Sequence, residues 1–167
     1  AIALNGSKRM TEGFGPMPGG IKQHPFNQVD GLKKIINKNT AAVVIELIQG
    51  EAGIVPAKKV FINEIRKLCK KNNALIVIDE VQSGVGRTGH LYAYEKYNIK
   101  PDILCSAKGM GNGIPIGAIL TTNKVAKAMH VGAHGSTYGG NPLACSVSFE
   151  VFKEVSKKSF LNSVIKK

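Results

Sequence analysis

Two short, uninterrupted apolar runs rich in β-branched residues, Ala41–Leu47 and Ala74–Ile78, constrain the fold of this chain more than any other feature. Runs of this kind, bounded by turn residues, are the signature of strands buried on both faces. Between them Val60, Phe61, Ile65, Leu68 and Cys69 recur at helical spacing from Lys58 to Asn73, with lysines and Arg66 in between. Strand, helix and strand within about forty residues form a βαβ unit, which calls for a parallel pair joined by a right-handed crossover. A third apolar run follows Pro101-Asp102 and a fourth spans Ile114–Leu120. The expectation is an α/β fold with a mostly parallel sheet, room for one reversed strand, and helices on both faces.

The remaining segments are read more simply. Residues 1–22 contain Gly13, Gly15, Pro16, Pro18, Gly19 and Gly20, a composition that favours turns. Asp30 is expected to cap a short helix through Leu32, Ile35 and Ile36. From Asn141 one long helix is expected through Leu143, Val147, Val151, Phe152 and Val155 toward the end. No repeat or low-complexity linker divides the 167 residues, which suits a single unit.

Composition excludes several classes of function. No apolar run approaches the ~20 residues needed to cross a bilayer, and there is no charged-then-apolar signal segment, so a cytoplasmic protein without a membrane partner is expected. Cys69, Cys105 and Cys145 lack metal-ligand spacing and read as buried small hydrophobes. The four histidines form no HExxH pattern, so no metal is expected. The net charge of +12 is carried by scattered lysine doublets such as Lys33-Lys34 and Lys70-Lys71, without interleaved aromatics. That pattern reads as solvated helix faces, with no nucleic-acid partner. The positive potential would still favour anionic cofactors and dicarboxylate substrates.

In open α/β sheets, ligands collect at the carboxyl ends of the strands. Glu51, in the loop Ile48-Gln49-Gly50-Glu51-Ala52-Gly53, follows the first run. Asp79 ends the second, and Lys108 follows the third, between Ala107 and Gly109 at the head of a glycine-rich turn. Taken singly, each has an ordinary explanation: an acid at a strand end can accept backbone amides, and a lysine can serve the surface. Taken together, they place an amine and two acids at one edge.

The run Asp79-Glu80-Val81-Gln82-Ser83-Gly84-Val85-Gly86-Arg87-Thr88-Gly89, followed by Ser106-Ala107-Lys108-Gly109, resembles the core of a class III aminotransferase. The loop Ile48–Gly53 and the stretch Gly135-Ser136-Thr137-Tyr138-Gly139-Gly140-Asn141-Pro142 match two further motifs of that family, in order. The resemblance implies the large domain of a fold type I pyridoxal-phosphate (PLP) enzyme acting on ω-amino groups. By the same resemblance, Lys108 would form the Schiff base with the cofactor and carry protons, and Asp79 would pair with the pyridinium nitrogen. Val81 would pack on a ring face, and Gln82 would bond the phenolic oxygen. Thr137, with Ser136, would reach the phosphate of the neighbouring subunit's cofactor, which implies a homodimer with shared active sites. Glu51 would gate a substrate-binding arginine. Arg87 reads as tying its own loop, Glu46 as a polar strand end, and Tyr92 and Tyr94 as packing residues.

The forms Gly84–Gly89 and Ile114-Pro115-Ile116-Gly117-Ala118, with Gly13-Phe14-Gly15-Pro16, are most similar to bacterial acetylornithine aminotransferases. This implies transfer of an ω-amino group from N2-acetylornithine to 2-oxoglutarate in arginine synthesis, with succinyl-diaminopimelate, used in lysine synthesis, as a further donor. Ornithine or 4-aminobutyrate donors, and an inactive truncated fragment, stay open as alternatives. By the resemblance, residues 1–167 are part of the PLP-binding large domain. An N-terminal segment, which Ala1–Ser7 would directly follow, and a C-terminal small domain both lie outside the chain.

Overall fold

The computed structural model describes residues 2–167, so Ala1 lies outside the described residues. In chain order the elements are α1 (Lys8–Thr11), α2 (Leu32–Ile35), β1 (Ala42–Glu46), β2 (Ile48–Gln49), β3 (Val55–Pro56), α3 (Lys59–Asn72), β4 (Leu75–Asp79), α4 (Tyr94–Tyr97), β5 (Ile103–Ser106), β6 (Ala118–Thr121), α5 (Asn123–Ala126), α6 (Pro142–Val155) and α7 (Lys158–Lys166). The main sheet has the order β1-β4-β5-β6. Its first three strands run parallel and β6 runs antiparallel, so the sheet is mostly parallel with one reversed strand. This is the α/β architecture expected. Helix α3 supplies the crossover from β1 to β4, as the spacing of its apolar positions requires.

The core lies between α3 and one face of the sheet. Phe61, Ile62, Ile65, Leu68 and Cys69 of α3 are buried together with Ile45, Ile76, Ile78 and Leu104 of the strands. Each such side chain contributes roughly 1.5–3 kcal/mol when fully buried. Strand alternation places Val44, Val77 and Ile103 on the opposite face. That face is more open than the continuous apolar runs suggested: Val44 is 45% exposed, and Ile119 of β6 is 73% exposed.

Several local expectations are corrected. Asp30 is not the cap of α2; Gly31 occupies that position at φ 88° with no side-chain cap, and the helix has a single turn. The helix from Asn141 does not run through to the end. It stops at Val155, where the Ser156 hydroxyl donates to the Phe152 carbonyl, and extended backbone at Lys157 starts α7. The break folds α7 back onto the loop 84–89. At Gly89, held at φ 77°, an added Cβ would lie 2.3 Å from Ile165 Cγ1, so α7 approaches the backbone there as only glycine permits. On α6, Ala144 and Ser148 face inward, while Leu143 is exposed.

The cysteines also separate. Cys69 is buried as expected, Cys105 is half-buried, and Cys145 is exposed because its neighbour Ala144 takes the inward position on α6. Burial pushes the Cys69 thiol up to about 11, with the nearby Asp102 charge adding to the effect. At pH 8 its thiolate fraction is therefore about a hundredfold below that of an ordinary cysteine. Iodoacetamide at pH 8, followed by peptide mass mapping, is expected to leave Cys69 unmodified in native protein and to alkylate it fully after denaturation.

Candidate active site

The parallel register sets the geometry of the site. Glu46, Asp79 and Cys105 lie side by side on β1, β4 and β5, at the carboxyl edge of the sheet. Asp79 is half-buried. Its Oδ1 accepts the Val81 N–H at 2.9 Å, and Oδ2 takes no side-chain or backbone hydrogen bond among the described residues. Burial pushes the Cys105 thiol up, and the Asp79 charge beside it pushes in the same direction.

Lys108 stands three residues beyond Cys105, at the start of a 3₁₀ turn, Lys108–Met110. Its backbone is left-handed at φ 44°, an unusual conformation for a side chain of this size, and its side chain is exposed. Strain of this kind gathers at functional positions. A depression of about 350 Å³ opens beside it, lined by Lys108, Gly113, Ile114, Pro115 and Ile116. Val85, also left-handed at φ 53°, lies against the next residue: a Cβ on Gly109 would sit 3.6 Å from Val85 Cβ.

The Ile48–Gly53 stretch forms one side and the tip of a small antiparallel hairpin, in which β2 pairs with β3. Gly53 N–H and Ile54 N–H both donate to the Gly50 carbonyl, closing the turn. Gln82 lies across Gly50 so closely that a Cβ there would fall 1.4 Å from Gln82 Oε1. Glu46 is more than a polar strand end, since its Oε2 accepts the Gly50 N–H at 3.3 Å. The structure thus brings Asp79, Val81, Gln82 and the hairpin of Glu51 to one edge, with Glu51 itself exposed at the tip. Ser136 and Thr137 lie in an exposed stretch, 131–140, where Ser136 Oγ accepts the Gly139 N–H at 2.8 Å. Neither lines the depression beside Lys108. Asn141, just beyond, caps α6 by accepting the Ala144 N–H. Arg87, expected to tie its own loop, makes no side-chain hydrogen bond or ion pair among the described residues. Backbone bonds hold that turn, including Gly86 N–H to the Leu91 carbonyl at 3.1 Å.

The family model for aminotransferase class III matches residues 1–167. The chain belongs to the class III aminotransferase family. It is 52% identical over 166 residues to an acetylornithine/succinyldiaminopimelate aminotransferase of Buchnera aphidicola subsp. Schizaphis graminum, covering 99% of this chain and 41% of the relative. It is 51% identical over 163 residues to an acetylornithine aminotransferase of Pseudomonas putida, covering 98% and 40%. Ornithine aminotransferase from Toxoplasma gondii, solved with partial occupancy of PLP at its active site, superposes with a TM-score of 0.90 at 33% identity, covering 97% of this chain and 38% of that one. The class III chain described here therefore spans about two fifths of the length of the curated relatives it matches. The same resemblance read from the motifs is upheld, as is the fold type I architecture.

In this class III aminotransferase chain the sequence reading passed over one residue at the site's centre. Glu80 is 0% exposed, and burial pushes its carboxyl pKa up against the lowering effect of donors from Ala93, Tyr94 and Ser83. A usable signal was present, because residues one apart on a strand point to opposite faces. If Asp79 faces a ligand, the next acid must turn toward the core. Tyr92, read as packing, is buried and stacks on Tyr94 with ring centroids 6.2 Å apart, and its hydroxyl additionally donates to Ser106 Oγ.

The contact of Gln82 with Gly50 yields a direct test. Gly50→Ala is expected to displace the amide and destabilise the full-length protein by about 1–3 kcal/mol, as overpacking does. Adding Gln82→Ala should recover most of that loss, measured by denaturant unfolding of both variants.

Proposed function

We propose that the protein carrying this chain is a PLP-dependent transaminase that moves the ω-amino group of N2-acetylornithine to 2-oxoglutarate. The observation that carries this reading is Lys108, held in a left-handed backbone at the end of β5, next to the strand whose end presents Asp79. The residues fit the cofactor chemically. One Asp79 oxygen remains free of protein donors, the lysine amine is exposed beside an open depression, and no competing cation pairs with the acid among the described residues. When bound, PLP supplies an aldehyde that holds the amino group between half-reactions and a ring that withdraws electrons.

This chain's own residues do the remaining work. Asp79 favours a proton on the ring nitrogen, because a carboxylate beside it in a poorly solvated setting stabilises the cation. Lys108 would hold the cofactor through its amine and, once released, would move a proton at the substrate carbon. Gln82, wedged on Gly50, would hold the ring oxygen with its amide, and Val81 would pack on a ring face. Ser136 and Thr137 stand apart from the depression, in an exposed segment, which suits donation to the phosphate held by a neighbouring subunit and so a homodimer. Glu51, exposed at a hairpin tip, suits pairing with an arginine in one half-reaction and release in the other. The excess of lysine and arginine favours dicarboxylate substrates. Ornithine is the second reading for the donor, with the fold match to the Toxoplasma gondii enzyme supporting it only as another class III transaminase, and the name of the Buchnera relative supports succinyl-diaminopimelate as a further donor.

Borohydride treatment of the full-length protein loaded with PLP is expected to fix the cofactor on the peptide containing Lys108, seen by mass spectrometry. Lys108→Ala should abolish the fixed adduct and lower turnover at least 10³-fold. Fixation on another lysine would sink the assignment. A donor profile in which N2-acetylornithine gives no higher kcat/KM than ornithine would overturn the substrate choice alone.

A further inference from the structure

The ladder between β4 and β5 ends at the pair Asp79–Cys105. Beyond it, the spacing between the Asp79 carboxylate and Lys108 depends on whatever joins the two loops. Glu80 makes that join with every polar group it has. Its N–H donates to the Cys105 carbonyl at 2.9 Å, and its carbonyl accepts the Gly84 N–H at 3.0 Å. Its Oε2 accepts the Ser83 hydroxyl at 3.1 Å and the Ala93 N–H at 2.8 Å, while Oε1 accepts the Tyr94 N–H at 2.7 Å. The adjacent Tyr92 hydroxyl then donates to Ser106 Oγ at 3.2 Å, a contact buried on both sides. Ser106 is two residues before Lys108. On the other flank Val85, inside the loop that Glu80 closes, rests against Gly109.

We propose that Glu80 is a positioning residue: its buried carboxylate, extended by the Tyr92–Ser106 hydrogen bond, sets the distance between Asp79 and Lys108. This rests on the assignment of those two residues as the acid and amine that hold PLP. A carboxylate suits the place because it accepts three donors without needing a proton of its own. No cation pairs with it among the described residues, so the neutral N–H and O–H dipoles must be aimed at it, and this geometry holds residues 80–94 as one rigid loop. Glutamine cannot substitute, since its amide would turn an N–H₂ toward either the Tyr94 N–H or the Ala93 and Ser83 donors. A misplacement at the loop's base is then felt at both strand ends.

The test uses the full-length protein. Tyr92→Phe and Ser106→Ala each delete one hydroxyl and keep the packing, and their double variant completes the cycle. Each single variant is expected to weaken PLP affinity about three- to tenfold and to move the pH midpoint of the bound cofactor's visible band by at least ~0.3 units. The double variant should match the singles, because both remove the same bond. Glu80→Gln is expected to weaken PLP about tenfold or more and to shift the band in the same sense. If Glu80→Gln fails to fold, the two hydroxyl variants decide. Variants that lower the melting temperature of the PLP-free protein yet keep wild-type PLP affinity and band titration would show a purely structural network and overturn the proposal. Failure of wild-type protein to form a borohydride-fixed adduct at Lys108 would instead defeat the assignment on which the proposal rests.

Discussion

The in-register end of three parallel strands is the constraint on which the rest of this chain depends. Parallel hydrogen bonding aligns Glu46, Asp79 and Cys105 at one edge, and the glycine-rich turn places Lys108 just past that edge. Residues far apart in sequence are thereby brought to one edge of the sheet. The sheet itself is held by the burial of α3 against Ile45, Ile76, Ile78 and Leu104. The stability of a plain hydrophobic layer is thereby converted into the placement of polar groups.

The edge carries an electrostatic cost that the structure meets with neutral dipoles. Glu80 is an acid inside the fold with no cation paired to it among the described residues, and three donors from a single loop converge on it. An isolated buried carboxylate would cost several kcal/mol, so the loop must stay closed for the acid to be tolerated. That requirement accords with the left-handed backbone of Val85 inside the same loop. Its strain is sustained because the surrounding hydrogen bonds and the packing of α7 on Gly86 and Gly89 over-determine the loop.

The two halves of the candidate site differ in character. Asp79, Val81, Gln82 and the hairpin of Glu51 are built on strand ends and close contacts, so they are fixed within this chain. Ser136 and Thr137 lie in a segment whose side chains are exposed throughout, tethered at its far end by the Asn141 cap on α6. What such a segment can hold depends on what it meets.

The sequence by itself determined the βαβ unit, because the switch from continuous apolar runs to helical spacing leaves few packings open. It also determined the family and the candidate residues Lys108 and Asp79, through motifs whose order is independent of any distance. It read the helix from Asn141 as one piece and Asp30 as a cap, since propensity and spacing carry no information on where Ser156 bonds back or which backbone Gly31 adopts. Only the tertiary structure decided which donors Glu80 meets to hold the loop, that Gln82 lies on Gly50, and that Tyr92 reaches Ser106. Apart from the Glu80–Ser83 bond, those contacts join residues 13 or more positions apart. Their energy comes from burial and from donors converging in three dimensions, which no local pattern encodes.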